Sequence, residues 1–213
     1  MFKDSRSEAE SQIYIQLNNK IEEFFSLANY NYMLSDSPGK ASSYILDLMA
    51  FLKSTFEAFT NLPSKVAQTA CLSACKFISS RLLNILLEDD VKAISHGFLQ
   101  QFNLDLMQCE MFAGSEPVKE FEEGALQSCF AELRQTMDLF IEFDSWSTYF
   151  AEYGKNESRY LRVNPQTALI LLEKLVRGDN KKTIFSALSK NERDKKNKID
   201  TILKKLKQLI TNN

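Results

Sequence analysis

Apolar side chains recur at intervals of three and four residues along most of this chain, and polar residues fill the positions between them. Residues three or four apart lie on one face of a helix, so this spacing indicates amphipathic helices. No segment shows the strict alternation that is typical of a half-buried strand. The pattern predicts an all-α protein.

Glycine and proline set the predicted helix boundaries. The first helix is predicted from about Ser5 to Tyr30, and Pro38-Gly39 forces a turn before the second. A third begins at Pro63, where the missing N–H of proline costs nothing in a first helical turn. A fourth is predicted from Asp90 to Phe112, and a fifth begins near Glu120.

The C-terminal part continues the helical pattern. Asn164-Pro165 is a start signal, because asparagine caps orphan amides and proline fits the first helical position; this helix is predicted to end at Gly178. A last helix carries apolar residues from Ile199 to Ile210 on one side. The aromatic run FIEFDSWSTYFAEY fits core packing better than a partner site. We predict one helical-bundle region over residues 1–213 with a subdivision at 114–120, and expect residues 1–4 to be disordered or to derive from an expression start.

Composition agrees with a large core and no membrane span. Hydrophobic residues make up 44% of the 213 residues, no apolar run reaches about 18 residues, and the N-terminus is too polar for a signal peptide. We therefore expect a soluble, cytoplasmic chain. Its formal charge of −2 is uneven: residues 181–213 hold ten Lys/Arg against three Asp/Glu.

Candidate catalytic and metal-binding motifs are incomplete. Gly39-Lys40 lacks three parts of a phosphate loop: the first glycine, where Leu34 stands, the Ser or Thr, where Ala41 stands, and the preceding strand. His96 is the single histidine and has no paired acid, and adjacent acidic pairs diverge on a helix. The cysteines fit reduced, buried thiols better than a zinc site, since only Cys71 and Cys75 share a helix face. We predict no enzyme activity, no metal and no cofactor.

The predicted fourth helix has two apolar faces. At about 100° per residue, one stripe is formed by Val91, Ile94, Phe98, Phe102, Leu106, Cys109 and Phe112, with Asp105 as a misfit inside it. The opposite face holds Ala93, Gly97, Leu104, Met107 and Met111, flanked by Gln100 and Asn103. A helix packed between others explains both faces. The other interpretation is an exposed patch, where Leu and Met supply area and the amides give hydrogen-bond direction.

The basic C-terminal helix offers a second candidate surface. Lys204, Lys205 and Lys207 lie opposite its apolar side and could contact anionic lipid head groups, although a solvated face is the simpler interpretation. Nucleic-acid binding is disfavoured, because the segment lacks interleaved aromatic residues and the rest of the chain is acidic.

Four segments resemble the C-terminal region of one family of exocyst subunits, Sec fifteen (exocyst complex component six). They are NLPSKVAQTACLSACKFIS, ISHGFLQQFNLDLMQCEMFAGSEPV, WSTYFAEYG and YLRVNPQTALILLEKL. The resemblance runs from about Ile21 to the end, and its detail is similar to an animal version, that of an insect. Because such subunits are several times longer, it implies a C-terminal fragment.

The resemblance implies a fold and a set of partners. The fold would consist of elongated antiparallel helical bundles of the rod type found in multisubunit tethers. The chain would bind other exocyst subunits and a GTP-bound Rab GTPase of the Rab eleven class, and would work peripherally on vesicles and at plasma-membrane sites of exocytosis. We expect the Rab contact at Gln100, Asn103, Leu104, Met107 and Met111. The alternatives are a scaffold that only packs against exocyst subunits, and membrane contact through the three lysines.

Overall fold

A computed structural model describes residues 2–142, 144–183 and 190–211, and all regular structure in these ranges is helical. The α-helices are α1 (Phe2–Ser26), α2 (Ser43–Ala58), α3 (Ser64–Leu87), α4 (His96–Gly114), α5 (Ala131–Ile141), α6 (Ser145–Glu152), α7 (Pro165–Thr183) and α8 (Lys190–Thr211). Short 3-10 helices occur at Phe59–Asn61 and Gln127–Phe130. The predicted all-α class is confirmed. Residues 2–4 belong to α1, and Met1 lies outside the described residues.

Two helix starts follow the predicted chemistry. Pro63 precedes α3, and its carbonyl oxygen accepts the Val66 amide at 2.8 Å. Asn164 precedes α7, and its Oδ1 accepts the Gln166 amide at 2.8 Å. In both cases the residue before the helix satisfies an amide that has no partner within the helix. The predicted cap at Asn164 is confirmed.

The chain divides into two compact units whose segments alternate along the sequence. The first unit comprises residues 1–30, 38–84 and 101–131, and the second comprises residues 31–37, 85–100 and 132–213. Each unit gathers its own core from several helices.

The core of the first unit is built on α2 and α3. The buried residues of α2 are Tyr44, Ile45, Leu48, Leu52 and Phe56, and α3 buries Val66, Ala70, Cys71, Ala74, Cys75, Ile78 and Leu82. Each large apolar side chain removed from water stabilises the fold by about 1.5–3 kcal/mol. On length and composition alone α3 could span a membrane, although polar residues, Lys76 and Arg81 among them, interrupt its apolar run. The buried stripe of α3 is typical of a core helix.

The second unit is held by contacts of α7 with the segment before α4. The Ile94 amide donates to the Lys174 carbonyl at 3.1 Å. The Lys174 ammonium, itself buried, donates to the carbonyls of Leu86 and Glu88 at 2.9 and 2.7 Å and so caps the end of α3. Gly178 was predicted to end this helix, but it lies inside α7. A Cβ there would lie 1.9 Å from the Ile94 carbonyl oxygen, so glycine is required for close packing.

Two predicted helix starts were wrong. The fourth helix begins at His96 rather than Asp90, because the Ile94 and Ser95 amides donate to the carbonyls of Lys174 and Tyr32, which are distant in sequence, instead of to carbonyls one helical turn earlier. The fifth element does not begin near Glu120. Glu116, Glu120 and Gly124 have positive φ angles of 50°, 69° and 77°, which interrupt a right-handed helix. The aromatic run packs in the core as predicted, with Trp146 and Tyr149 buried, while Phe143 lies outside the described residues.

Candidate functional site

The helix α4 presents one buried and one open face. The buried face carries Phe98, Leu99, Phe102, Asp105, Leu106, Cys109 and Phe112. The open face carries Gln100, Asn103, Leu104, Met107 and Met111, at spacings of three and four residues that place them in one stripe. We call these five residues the α4 stripe. Met107 is 42% exposed and Met111 is 63% exposed, Gln100 is exposed, and Asn103 and Leu104 are half-buried.

The predicted second face is only partly open. Its N-terminal members Ala93 and Gly97 are buried. Ala93 lies before the helix, and a Cβ on Gly97 would lie 2.4 Å from the Leu34 carbonyl oxygen. Backbone therefore covers the first turn of α4, and Val91 of the predicted core stripe also lies outside the helix. Only the later turns keep an open face.

The α4 stripe is neutral and combines thioethers with amides. The Asn103 side-chain amide lies with its Nδ2 3.9 Å from the Met107 Sδ, and the Gln108 Nε2 lies 3.9 Å from the Met111 Sδ. No lysine or arginine occurs between Lys92 and Lys119. The stripe can therefore offer a partner apolar area and hydrogen-bond donors, but it offers no cation.

The start of α4 is fixed by Ser95. Its Oγ accepts the Phe98 amide at 3.1 Å, which caps the helix, and the same hydroxyl donates to the Leu34 carbonyl at 2.5 Å. The Ser95 amide donates to the Tyr32 carbonyl at 2.9 Å. Ser95 is fully buried, so these bonds satisfy groups that water cannot reach.

The middle of α4 is fixed by Asp105, the misfit of the predicted core stripe. Its carboxylate is completely buried and accepts bonds from the Ser42 amide at 2.6 Å, the Ser42 hydroxyl at 2.8 Å and the Tyr30 hydroxyl at 2.6 Å. Gln101 adds a bond of 3.2 Å. Burial raises the pKa of Asp105 above its ordinary value, although these hydrogen bonds act in the opposite direction. The sequence analysis did not predict this anchor. The position of a charged residue, Asp105, inside an apolar stripe was the signal that could have indicated it.

The other sequence candidates have structural partners. His96 lies with its Nε2 3.7 Å from the Asp179 Oδ2. Cys71, Cys75 and Cys109 are free thiols in the core, and Cys129 is half-buried. The buried cysteines therefore contribute to core packing, and His96 pairs with Asp179 at the surface.

The three lysines of α8 are exposed, but two of them are engaged with this chain. Lys205 lies over the Phe150 ring, with its Nζ 5.1 Å from the ring centroid. Lys207 forms an ion pair with Glu173 at 3.3 Å. Lys204 is exposed to solvent. The Glu173 carboxylate offsets the charge of Lys207, whereas the ring contact leaves the charge of Lys205 unchanged.

Comparison with known proteins finds relatives that all carry the same name, exocyst complex component 6 or 6B. The chain is 53% identical to human "Exocyst complex component 6" over 209 residues, 54% identical to mouse "Exocyst complex component 6B" over 210, and 46% identical to the Drosophila melanogaster component 6 over 209. These alignments cover 98%, 99% and 98% of this chain but only 26%, 26% and 27% of the relatives. The chain thus spans about a quarter of the length of the curated relatives it matches. The animal resemblance is confirmed, and the insect assignment stays a prediction.

A solved structure and a family profile agree with this relationship. The chain superposes on "Crystal Structure of Sec15 C-terminal domain" with a TM-score of 0.55 and 40% identity, covering 64% of this chain and 43% of the other. The profile described as "Exocyst complex subunit Sec15 C-terminal" matches residues 1–174. The chain therefore belongs to the family of C-terminal domains of the exocyst subunit Sec15.

Proposed function

We propose that this chain is a non-catalytic effector domain of a vesicle-tethering exocyst subunit, and that it binds a GTP-loaded Rab GTPase of the Rab eleven class. Through this contact it would dock secretory or recycling vesicles at the plasma membrane. Family membership supports the exocyst role. The observation that carries the GTPase contact is the exposure of Met107 and Met111 on a helix whose opposite face is buried.

The α4 stripe has the composition of a recognition surface. Methionine side chains are unbranched and polarisable, so they adapt to the shape of a partner. The amides of Gln100 and Asn103 would provide the directional bonds that set the orientation of the complex. The helix itself is fixed by the Ser95 cap and the Asp105 anchor, so its side chains need little ordering when a partner binds.

Dependence on GTP follows from the partner. The γ-phosphate orders the switch loops of a GTPase, and hydrolysis releases them. A preformed helix face can therefore bind the switch loops while GTP keeps them ordered, and this binding would be lost after hydrolysis. The chain would act in the cytoplasm, peripherally on vesicles and at sites of exocytosis, together with other exocyst subunits.

The test is capture of this chain by Rab eleven loaded with a GTP analogue or with GDP. We expect binding only to the GTP form. Met107→Asp should weaken binding at least about tenfold, because burying an unpaired charge is costly, and Asn103→Ala should weaken it by less. Leu46→Asp is the matched control, since Leu46 lies on α2 with 43% exposure against 42% for Met107. Equal capture by both nucleotide forms, or equal losses for Met107→Asp and Leu46→Asp, would contradict the proposal.

Two other functions make different predictions in the same assays. A scaffold that packs only against exocyst subunits would bind neither the GTP form nor the GDP form of Rab eleven. In that case Met107→Asp would instead disrupt the assembly with other exocyst subunits. Membrane contact through Lys204, Lys205 and Lys207 would give salt-sensitive sedimentation with anionic vesicles. The ion pair with Glu173 offsets the charge of one of the three lysines, Lys207, and to that extent counts against membrane contact.

A further inference from the structure

In the part of the chain that the structure describes, the exposed methionines lie on α4. Among the methionines whose side chains the structure describes, Met107 and Met111 are exposed, at 42% and 63%. Met33 and Met49 are half-buried, and Met137 is 1% exposed. Because the oxidation of a thioether requires direct access of the oxidant to sulfur, Met107 and Met111 are the positions most open to it.

The two sulfur atoms belong to one surface. Met107 and Met111 are four residues apart on α4, so their side chains are neighbours. Each sulfur has a side-chain amide nitrogen at 3.9 Å, from Asn103 and Gln108 respectively. An amide N–H bonds only weakly to a thioether, whereas the oxygen of a sulfoxide is a strong acceptor. The same amides can therefore hold the oxidised side chains in a hydrated, polar arrangement.

We propose that Met107 and Met111 form a peroxide-sensitive modification site that removes the apolar character of the α4 stripe. A sulfur lone pair attacks one oxygen of hydrogen peroxide, and the O–O bond breaks. The oxygen is transferred to sulfur, which is oxidised by two electrons, and the remaining hydroxide takes the proton and leaves as water. The products are methionine sulfoxides, which methionine sulfoxide reductases convert back.

The consequence for binding rests on the proposed function. A sulfoxide buried against the switch loops would lose its bonds to water, which one intramolecular amide bond does not replace, so the oxidised chain should bind the GTP-loaded Rab roughly tenfold or more weakly. Reduction by the reductases should restore binding. The stripe would then respond to both the nucleotide state of its partner and peroxide.

The test exposes the full 213-residue chain to graded hydrogen peroxide. Peptide mass spectrometry should find added oxygen first on Met107 and Met111, while Met137 remains reduced. Retention on a hydrophobic-interaction column should fall at the same peroxide dose. Capture by GTP-loaded Rab eleven should be lost in parallel and should return after treatment with methionine sulfoxide reductases A and B.

Variants separate this site from general oxidative damage. For the double variant Met107→Leu/Met111→Leu, whatever its capture before treatment, peroxide should change neither column retention nor capture. For Met33→Leu/Met49→Leu, peroxide should lower both, as it does for the unchanged chain. Oxidation of Met137 as early as Met107, or unchanged retention after complete oxidation of Met107 and Met111, would overturn the proposal. If the untreated chain captures no Rab, the proposed function fails, and oxidation order and retention still decide the modification site.

Discussion

The Tyr30 hydroxyl donates to the buried Asp105 carboxylate over 2.6 Å, and the Tyr44 hydroxyl lies 2.6 Å from the same Tyr30 oxygen. This chain of bonds joins the end of the α1 region, the start of α2 and the middle of α4 within the first unit. It holds a charged residue in an otherwise apolar stripe. The open face of α4 is the opposite side of this anchored helix.

Removal of the Tyr30 hydroxyl should destabilise the first unit. In Tyr30→Phe the carboxylate of Asp105 loses one donor while it stays buried, which costs about 1–3 kcal/mol of unfolding free energy. Urea denaturation monitored by circular dichroism measures this loss. The control is Tyr14→Phe on α1, a half-buried tyrosine, for which we expect a change within about 0.5 kcal/mol. Equal effects of the two variants would show that the Asp105 bond contributes nothing.

The raised pKa of Asp105 predicts a pH-dependent contribution to stability. The folded pKa lies above the unfolded value of 3.8, so the native state binds more protons in the window between them. The unfolding free energy contributed by this group therefore falls as pH rises through that window. Asp105→Asn cannot titrate there, so wild type should lose stability relative to this variant as the pH rises from the unfolded pKa of 3.8 through the raised folded pKa. A stability difference that is constant with pH would contradict the assignment.

Gly178 should not tolerate even one added methyl group. Replacing glycine by alanine inside a helix normally stabilises by roughly 0.5–1 kcal/mol, but here the new Cβ would lie 1.9 Å from the Ile94 carbonyl oxygen. We expect Gly178→Ala to lower the unfolding free energy by about 2 kcal/mol or more. Gly114→Ala is the control, because its Cβ would meet only the flexible end of the Gln127 side chain at 2.7 Å. A stabilised Gly178→Ala variant would refute the close approach.

Binding through the α4 stripe should depend little on salt. The stripe holds amides and thioethers and no lysine or arginine, so the complex gains little from long-range attraction. Its affinity should change less than about threefold between roughly 0.05 M and 0.5 M salt. Titration calorimetry over that range measures the effect. A steep loss of affinity with salt would instead point to the α8 lysines.

Helical periodicity predicted most of the fold, because each core contact repeats the same local spacing. It failed where tertiary contacts control the backbone. The segment before His96 was predicted as helix, yet Ile94 and Ser95 use their amides in bonds to residues distant in sequence. Gly178 was interpreted as a helix end, because a sequence does not show which backbone crosses a glycine.

The α4 stripe could be predicted only in part for the same reason. The 100° spacing placed Leu104, Met107 and Met111 on one side correctly, and the structure leaves that side open. It could not show that Leu34 and its neighbour cover Gly97, or that Lys205 and Lys207 contact Phe150 and Glu173. Local periodicity defines a helix face, and only the tertiary fold decides what covers it.

The most direct measurement is the affinity of this chain for Rab eleven loaded with a GTP analogue, compared between wild type, Met107→Asp and Leu46→Asp. Binding through the α4 stripe predicts that wild type and Leu46→Asp bind alike and that Met107→Asp binds at least about tenfold more weakly. Equal affinities for all three chains would contradict it.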